Sequence, residues 1–234
     1  MADRLMRTRL LLGDDGLEKL QNSTVMVIGC GAVGSYAIEA LARGGIGHIK
    51  LVDFDVVEES NINRQLFALQ STVGMKKVEV ARQRINDISP DIKVDIYDTF
   101  LDEKNADEII SNIDFVVDAI DSRNSKIAIY QACQKKKIPF ISSMGAALRM
   151  DVSKILIDKM EKTSVCPLAS FLRKMCKANK IPMDFPVIYS VEQPVKACAE
   201  NRQMGSLSTI TGIFGLTMAN YVIKQIILDK KQKM

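Results

Sequence analysis

The chain has 234 residues, 47% of them apolar and 26% charged, with a formal net charge of +4. That composition excludes disorder and a fibrous design, allows one large domain with a real core, and permits contact with RNA or acidic partners without requiring it. Five cysteines, Cys30, Cys133, Cys166, Cys176 and Cys198, are odd in number and never spaced C-x-x-C, which argues against a disulfide framework and a four-thiolate zinc site and for reduced thiols in the cytoplasm.

In chain order, Arg4, Arg7 and Arg9 precede Leu10-Leu11-Leu12-Gly13, and residues 16–20 read as a short helix; no charged-then-apolar leader pattern opens the sequence. An apolar strand, residues 25–28, then runs into Gly29-Cys30-Gly31-Ala32-Val33-Gly34 and a helical pattern. A second strand, residues 48–52, ends at Asp53, 19 positions after the last glycine and near the spacing of an acid that binds a ribose hydroxyl. Gly29, Gly31 and Gly34 let the backbone turn sharply and approach a phosphate at the following helix N-terminus. His48, the one histidine, begins that second strand, and no acid–base work is expected of it.

Residues 55–69 are polar and rich in amides, so they read as a loop and short helix at the carboxyl edge of a sheet. There Arg64 can clamp a phosphate, and Asn61 and Asn63 can cap a helix or bond a ribose. A helical pattern covers residues 73–88, with Lys76 and Lys77 in its first turn. A cation there opposes the macrodipole unless an anion binds. Residues 93–97 read as a strand, 104–111 as a helix, and 114–121 as a buried strand that delivers Asp118 and Asp121 to its carboxyl end. Asp121 is a candidate magnesium ligand, since magnesium is held by one or two carboxylates together with nucleotide phosphates. Asp118 is a supporting or capping group.

A helix over residues 122–136 and a strand over 138–142 complete a β-α-β-α-β-α-β-α-β order, which predicts an α/β fold with a doubly wound, mostly parallel sheet. The expected organisation is one domain: an N-terminal arm (1–24), a nucleotide-binding core (25–145) and a substrate-side extension (146–234). In the extension, residues 145–154 read as a loop and 154–158 as a strand, and Cys166-Pro167 opens an amphipathic stretch with Arg173, Lys174, Lys177 and Lys180. Residues 185–191 read as a strand and 192–206 as a mobile segment. The last element, 207–228, nearly matches a membrane span in length, but Asn220, Lys224 and Gln225 interrupt it, so it is expected to pack as a long apolar helix.

Taken together, the Gly29–Gly34 loop, Asp53, Asn61-x-Asn63-Arg64-Gln65, Lys77 and the Asp118-Ala-Ile-Asp121 run resemble the ubiquitin-activating-enzyme-like superfamily, the HesA/MoeB/ThiF adenylyltransferases, over about the first 145 residues. The resemblance implies ATP rather than NAD. Asp53 would hold the ribose, Arg64 and Lys77 the triphosphate, and Asp121 magnesium. It also implies a homodimer in which Arg7 enters the neighbouring subunit's site.

Three later motifs resemble the tRNA threonylcarbamoyladenosine dehydratase branch: Lys162-Thr-Ser-Val-Cys166-Pro-Leu, Val187-Ile-Tyr-Ser-Val-Glu-Gln-Pro194 and Gly205-Ser-Leu-Ser208. The branch more often has aspartate where Cys166 stands, so no catalytic role is carried onto this cysteine; whether Cys166, Cys176 or Cys198 acts stays open. On this reading tRNA is the substrate. Arg173, Lys174, Lys177, Lys180 and Lys135, Lys136 and Lys137 are candidate phosphate contacts, and a monovalent cation near Gly145 is an open question. No structural zinc is expected. The alternatives are an adenylyltransferase for the glycine tail of a ubiquitin-like or sulfur-carrier protein, and a nucleotide-binding or NAD-dependent protein without adenylation.

Overall fold

The computed structural model describes residues 3–195 and 204–228; Cys198 and the centre of the segment expected to be mobile lie outside the described residues. The elements are α1 (Met6–Gln21), β1 (Thr24–Ile28), α2 (Gly34–Gly44), β2 (His48–Val52), α3 (Lys77–Ile88), β3 (Lys93–Tyr97), α4 (Ala106–Ile109), β4 (Phe115–Asp118), α5 (Arg123–Lys136), β5 (Phe140–Ser143), β6 (Ile155–Lys159), α6 (Pro167–Ala178), β7 (Pro186–Ser190) and α7 (Ser208–Ile227).

One seven-stranded sheet has the order β3-β2-β1-β4-β5-β7-β6. All neighbours are parallel except the edge pair β6 and β7. The chain reverses direction of travel across the sheet between β1 and β4, so the carboxyl ends of those two strands frame the crevice where such sheets bind ligands.

Alternation along β1 builds both halves of the core. Val25 and Val27 face α2, α3 and α7 with Ile38, Leu41, Phe214 and Met218. Met26 and Ile28 face α5 and α6 with Ile129, Tyr130, Leu172 and Cys176. Buried on both faces, the strand needs an uninterrupted apolar run, which Val25-Met26-Val27-Ile28 supplies.

Helix α7 is long and apolar enough to cross a membrane by length and composition. Here Ile210, Phe214, Met218, Ala219 and Val222 are buried in the core, each large side chain worth roughly 1.5–3 kcal/mol. Close approach to α2 depends on Gly215, where an added Cβ would lie 2.3 Å from the Val33 carbonyl oxygen.

Three expected boundaries differ. The helix expected over 16–20 extends from Met6 to Gln21, broken by a non-helical Gly13 at φ 74°. The one expected over 73–88 begins only at Lys77, because Gly74 takes φ 86° and residues 74 and 75 bond Val57 instead of continuing a helix. The stretch 104–111 keeps a single turn, Ala106–Ile109, since Ile110 leaves helical geometry and Asn112 takes φ 54° to enter β4.

Candidate active site

The glycine loop leaves β1 with Gly29 at φ 97°, its N–H donating to the Val52 carbonyl at 2.8 Å. A Cβ on Gly29 would lie 2.9 Å from the Ala119 carbonyl oxygen, and one on Gly34 would lie 1.7 Å from that of Gly29, so both must be glycine for loop, helix and β4 turn to meet. Gly31 is different. Nothing approaches its would-be Cβ more closely than Gln65 Nε2 at 3.7 Å, which leaves the outer side of the loop open beside the α2 N-terminus.

Asp53, directly after β2, accepts the Cys30 N–H at 2.6 Å and the Asp55 N–H at 2.9 Å. Burial raises its carboxyl above the ordinary value, against the pull of those two N–H groups and of Lys77. A carboxylate has about four lone-pair positions, so two remain for sugar hydroxyls. Lys77 is the first residue of α3 and is buried; its Nζ lies 2.7 Å from Asp55 Oδ2, and its N–H donates to the Asp55 carbonyl. Asp55 offsets the cost of a cation at a helix N-terminus.

Half-buried Arg64 uses Nη1 on the Ser60 carbonyl at 2.7 Å and on Asn63 Oδ1 at 2.9 Å, leaving the rest of its fork without a partner among the described residues. The two asparagines have structural partners. Asn61 Oδ1 accepts the Glu58 N–H in a capping box, and Asn63 Nδ2 donates to the Ser206 carbonyl at 3.2 Å. Leu66 N–H donates to Ser35 Oγ, tying this loop to α2.

Asp121 is exposed, just before Ser122 at the N-cap position of α5. Asp118 is fully buried and accepts from Lys126 Nζ at 2.8 Å and Ser142 Oγ at 2.5 Å; the hydroxyls of Ser142 and Tyr130 are 2.7 Å apart. Its other oxygen accepts the Ile120 N–H at 3.4 Å and so shapes the turn that carries Asp121. Burial lowers the Lys126 pKa, with the Asp118 carboxylate opposing.

The structure therefore brings together Gly29, Gly31, Gly34, Asp53, Lys77, Arg64 and the Asp118–Asp121 turn at one sheet edge. It does not bring Arg7 there. Arg7 is exposed in the first turn of α1, near Arg4, which pairs with Asp91 at the amino end of β3 on the opposite edge. His48 bridges Thr24 Oγ1 and Asp95 at the start of its strand, also away from the site.

The sequence reading missed Lys126. Its signal was a lysine in phase with Ile129, Tyr130 and Cys133 on the apolar stripe of a helix, eight residues after an acid. It also missed Glu192, whose carboxylate accepts the Met150 and Asp151 N–H groups and fixes the loop after β5. Burial pushes the Cys133 thiol up to about 12 and Cys176 to about 11, with Cys30 also well above its usual value, so none is a ready thiolate. Cys166 is buried at the N-cap of α6, its Sγ 3.6 Å from where a Gly145 Cβ would sit.

Among the described residues no cluster of three or more His, Cys, Asp or Glu could hold a metal by itself. A lone exposed carboxylate facing a phosphate cradle fits magnesium shared with a nucleotide, whose phosphates supply most of the ligands.

The ThiF family profile matches residues 2–234. The tRNA threonylcarbamoyladenosine dehydratase of Bacillus subtilis is 37% identical, over 98% of this chain and 96% of its own. The molybdopterin-synthase adenylyltransferase of Haemophilus influenzae is 32% identical over 90% of this chain and 77% of its own. The crystal structures of the Escherichia coli tRNA N6-threonylcarbamoyladenosine dehydratase with AMP and with ATP superpose with TM-scores of 0.93 and 0.92 at 33% identity, covering 99% of this chain and 96% of theirs.

Proposed function

The chain belongs to the ThiF family, and from that premise we propose that it is an ATP-dependent tRNA threonylcarbamoyladenosine dehydratase of the cytoplasm. One observation supports the choice of branch: similarity to the named dehydratases is higher and covers nearly the whole of both chains, 98% of this one and 96% of the Bacillus subtilis protein. The molybdopterin-synthase adenylyltransferase also aligns over most of this chain, but at lower identity and over only 77% of its own length, and the second reading, activation of a carrier tail, rests on that likeness.

On this reading the carboxylate of the threonylcarbamoyl group attacks the α-phosphate of ATP, forming an acyl-adenylate, a mixed anhydride, and releasing pyrophosphate. Asp53 holds the ribose, and the Gly29–Gly34 loop with the α2 N-terminus receives the phosphates. Arg64 turns its free guanidinium donors to the developing charge, and Lys77 adds a second cation beside Asp55. Asp121 would hold magnesium, which when bound supplies charge neutralisation on the phosphate oxygens. The carbamoyl oxygen, tethered to the same residue, then attacks the activated carbonyl and expels AMP. The net change is loss of one water from the modified adenosine, and proximity supplies much of the second step. No thiol nucleophile is needed. A homodimer with Arg7 acting in trans suits an arginine on the far edge of its own sheet, beside Leu10 and Leu11, which are 79% and 82% exposed.

The test is nucleoside mass analysis of threonylcarbamoyl-bearing tRNA incubated with the protein, ATP and magnesium. ATP-dependent loss of the mass of one water is expected. Intact nucleoside, together with ATP–pyrophosphate exchange driven by a glycine-tailed carrier protein, would move the assignment to the second reading.

A further inference from the structure

Arg149 is the buried cation whose hydrogen bonding is left incomplete. The other buried cations are satisfied: Lys77 and Lys126 lie 2.7 and 2.8 Å from Asp55 and Asp118, and Lys50 donates to the Ser111 carbonyl at 3.1 Å. Arg149 is 3% exposed and forms no ion pair among the described residues, where its Nε is the one buried side-chain nitrogen or oxygen without a partner. Its Nη1 donates to the Leu148 carbonyl at 3.2 Å, and its Nη2 makes no hydrogen bond among the described residues. In a planar guanidinium Nη1 lies on the Cδ side, so the donors left over, on Nε and Nη2, are the parallel pair that meets both oxygens of a carboxylate at once. Burying a guanidinium without an acid raises the free energy of the folded chain, and an acid that reaches the fork recovers that energy on binding.

The loop that carries Arg149 is held on both sides and belongs to the catalytic edge. Leu148 takes φ 60°, a left-handed conformation rare for leucine. Its N–H donates to the Gly205 carbonyl, and its carbonyl accepts the Val195 N–H. Glu192 is the acid beside this loop, but its oxygens are taken by the Met150 and Asp151 N–H groups at 2.9 to 3.1 Å. Ser142 on β5 is in register with Asp118 on β4, so the loop leaves the sheet next to the turn that bears Asp121. On the other side Asn63 donates to the Ser206 carbonyl. Residues 205 and 206 are thus bonded to the residue before Arg149 and to the residue before Arg64, which sets the two arginines across one short stretch of backbone.

We propose that the free fork of Arg149 binds the carboxylate of the threonylcarbamoyl group and holds it for its attack on ATP. This rests on the dehydratase reading and adds to it the residue that selects an acid. Two anions must meet in the first step, the carboxylate and the α-phosphate. Arg64 and Lys77 are given to the phosphates, so a further fixed cation on the carboxylate's side offsets the repulsion and orients the attacking oxygen. A backbone phosphate, linked through the chain on both sides, does not fit a guanidinium so enclosed, whereas the terminal carboxylate of a slender side group does.

The test compares two ligands of the full chain by calorimetry without ATP: the nucleoside N6-threonylcarbamoyladenosine and its carboxamide, which differ in the charge of the group at issue. The wild type should bind the acid about 10- to 100-fold more tightly, the range for hydrogen bonds to a charged partner. In R149M that preference should vanish, and R149K, which keeps the charge without the fork, should keep only part of it. In R149M kcat/KM for threonylcarbamoyl-bearing tRNA should fall by the same factor, with ATP binding unchanged. Because methionine removes a buried charge that has no internal counter-ion, ligand-free R149M should melt no lower than wild type, the reverse of what a structural role for Arg149 predicts. Equal binding of acid and amide by the wild type overturns the proposal, as does an acid preference kept in R149M or a lowered Tm in that variant. If this happens while the wild type converts tRNA, the dehydratase reading stands; if the wild type leaves tRNA unmodified and activates a glycine-tailed carrier protein, both fail.

Discussion

Replacing Lys126 by methionine should be among the most damaging single changes in the chain, although the residue touches no substrate. Its ammonium is fully buried, 2.8 Å from Asp118 Oδ2 and 3.1 Å from Ser142 Oγ. Methionine fills nearly the same volume, so packing is kept and the charge alone is lost. The Asp118 carboxylate then stays in the core without its cation, at a cost of about 3–5 kcal/mol. For a chain of this size each kcal/mol moves Tm by about 2–4 °C, so the variant should melt roughly 6–20 °C lower. With no tryptophan in the sequence, urea unfolding is best followed by circular dichroism. The paired variant D118N/K126M removes both charges and should recover about 2 kcal/mol of the loss, a non-additivity typical of groups in contact. A K126M loss below about 1 kcal/mol, or a double variant less stable than K126M alone, would refute the argument from desolvated charge.

Four further outcomes are expected. Arg64→Ala and Asp121→Ala should each lower ATP-dependent turnover by at least about a hundredfold while leaving Tm nearly unchanged, since both side chains point away from the core; AMP release measures this. Mixed dimers pairing Arg7→Ala with Asp121→Ala should retain one working site and about half the activity if Arg7 acts in trans, and complete inactivity rules that arrangement out. Glu39 joins α2 to α3 through Arg84 and Arg43; burial alone would raise its carboxyl pKa, but the two arginines outweigh it and the net direction is downward. Its contribution is thus complete above pH 4.5 and lost as pH falls through the lowered folded-state value, so Glu39→Gln should cost about 1 kcal/mol at pH 7, allowing for the solvent exposure of Arg84, with the gap to wild type closing below pH 4.5 in acid titrations of stability. Gly215→Ala should destabilise by about 1–3 kcal/mol despite the better helix propensity of alanine, because the new methyl meets the backbone at Val33 and Ala37; equal or higher Tm would show that α7 can shift without cost.

The nucleotide half of the molecule was legible because its signals are local. A glycine loop between strand and helix, an acid at the end of the next strand and a strand ending in two aspartates each follow from short-range backbone geometry, and the parallel sheet follows from their alternation. What escaped depends on distant partners. That β6 would lie antiparallel on the outer edge beside β7 is set by pairing between Ile155–Lys159 and Pro186–Ser190, with a whole helix between them. The delayed start of α3 at Lys77 reflects Val57 capturing residues 74 and 75, again a nonlocal bond. Asn61 read equally well as a ribose ligand or a cap, and only the geometry of the Glu58 turn assigns its side chain to capping. Lys126 was hidden because a lysine in a helix is assumed to reach water, whereas this one has its counter-ion on the neighbouring strand.

The closing helix links the two halves in a way that neither half's motifs announce. Thr211 Oγ1, in the first turn of α7, lies 3.4 Å from the Arg64 carbonyl oxygen, and the carbonyl of Ser206, just before the helix, accepts from Asn63. Next to it, Gly212 packs under the Tyr36 ring, and one turn further on Gly215 packs against Val33, at the start of the helix that follows the glycine loop. The Leu148 N–H, in the loop after β5, donates to the Gly205 carbonyl on the same approach. The start of α7 is thus held at once to the arginine loop, to the helix after the glycine loop and to the loop after β5. The glycine loop with its helix and the loop after β5 consequently share one support, so a displacement of α7 must disturb Arg64 and the loop after β5 together. That shared anchorage is the physical reason an apolar C-terminal helix, far from the glycine motif in sequence, belongs to the site's architecture rather than to its periphery.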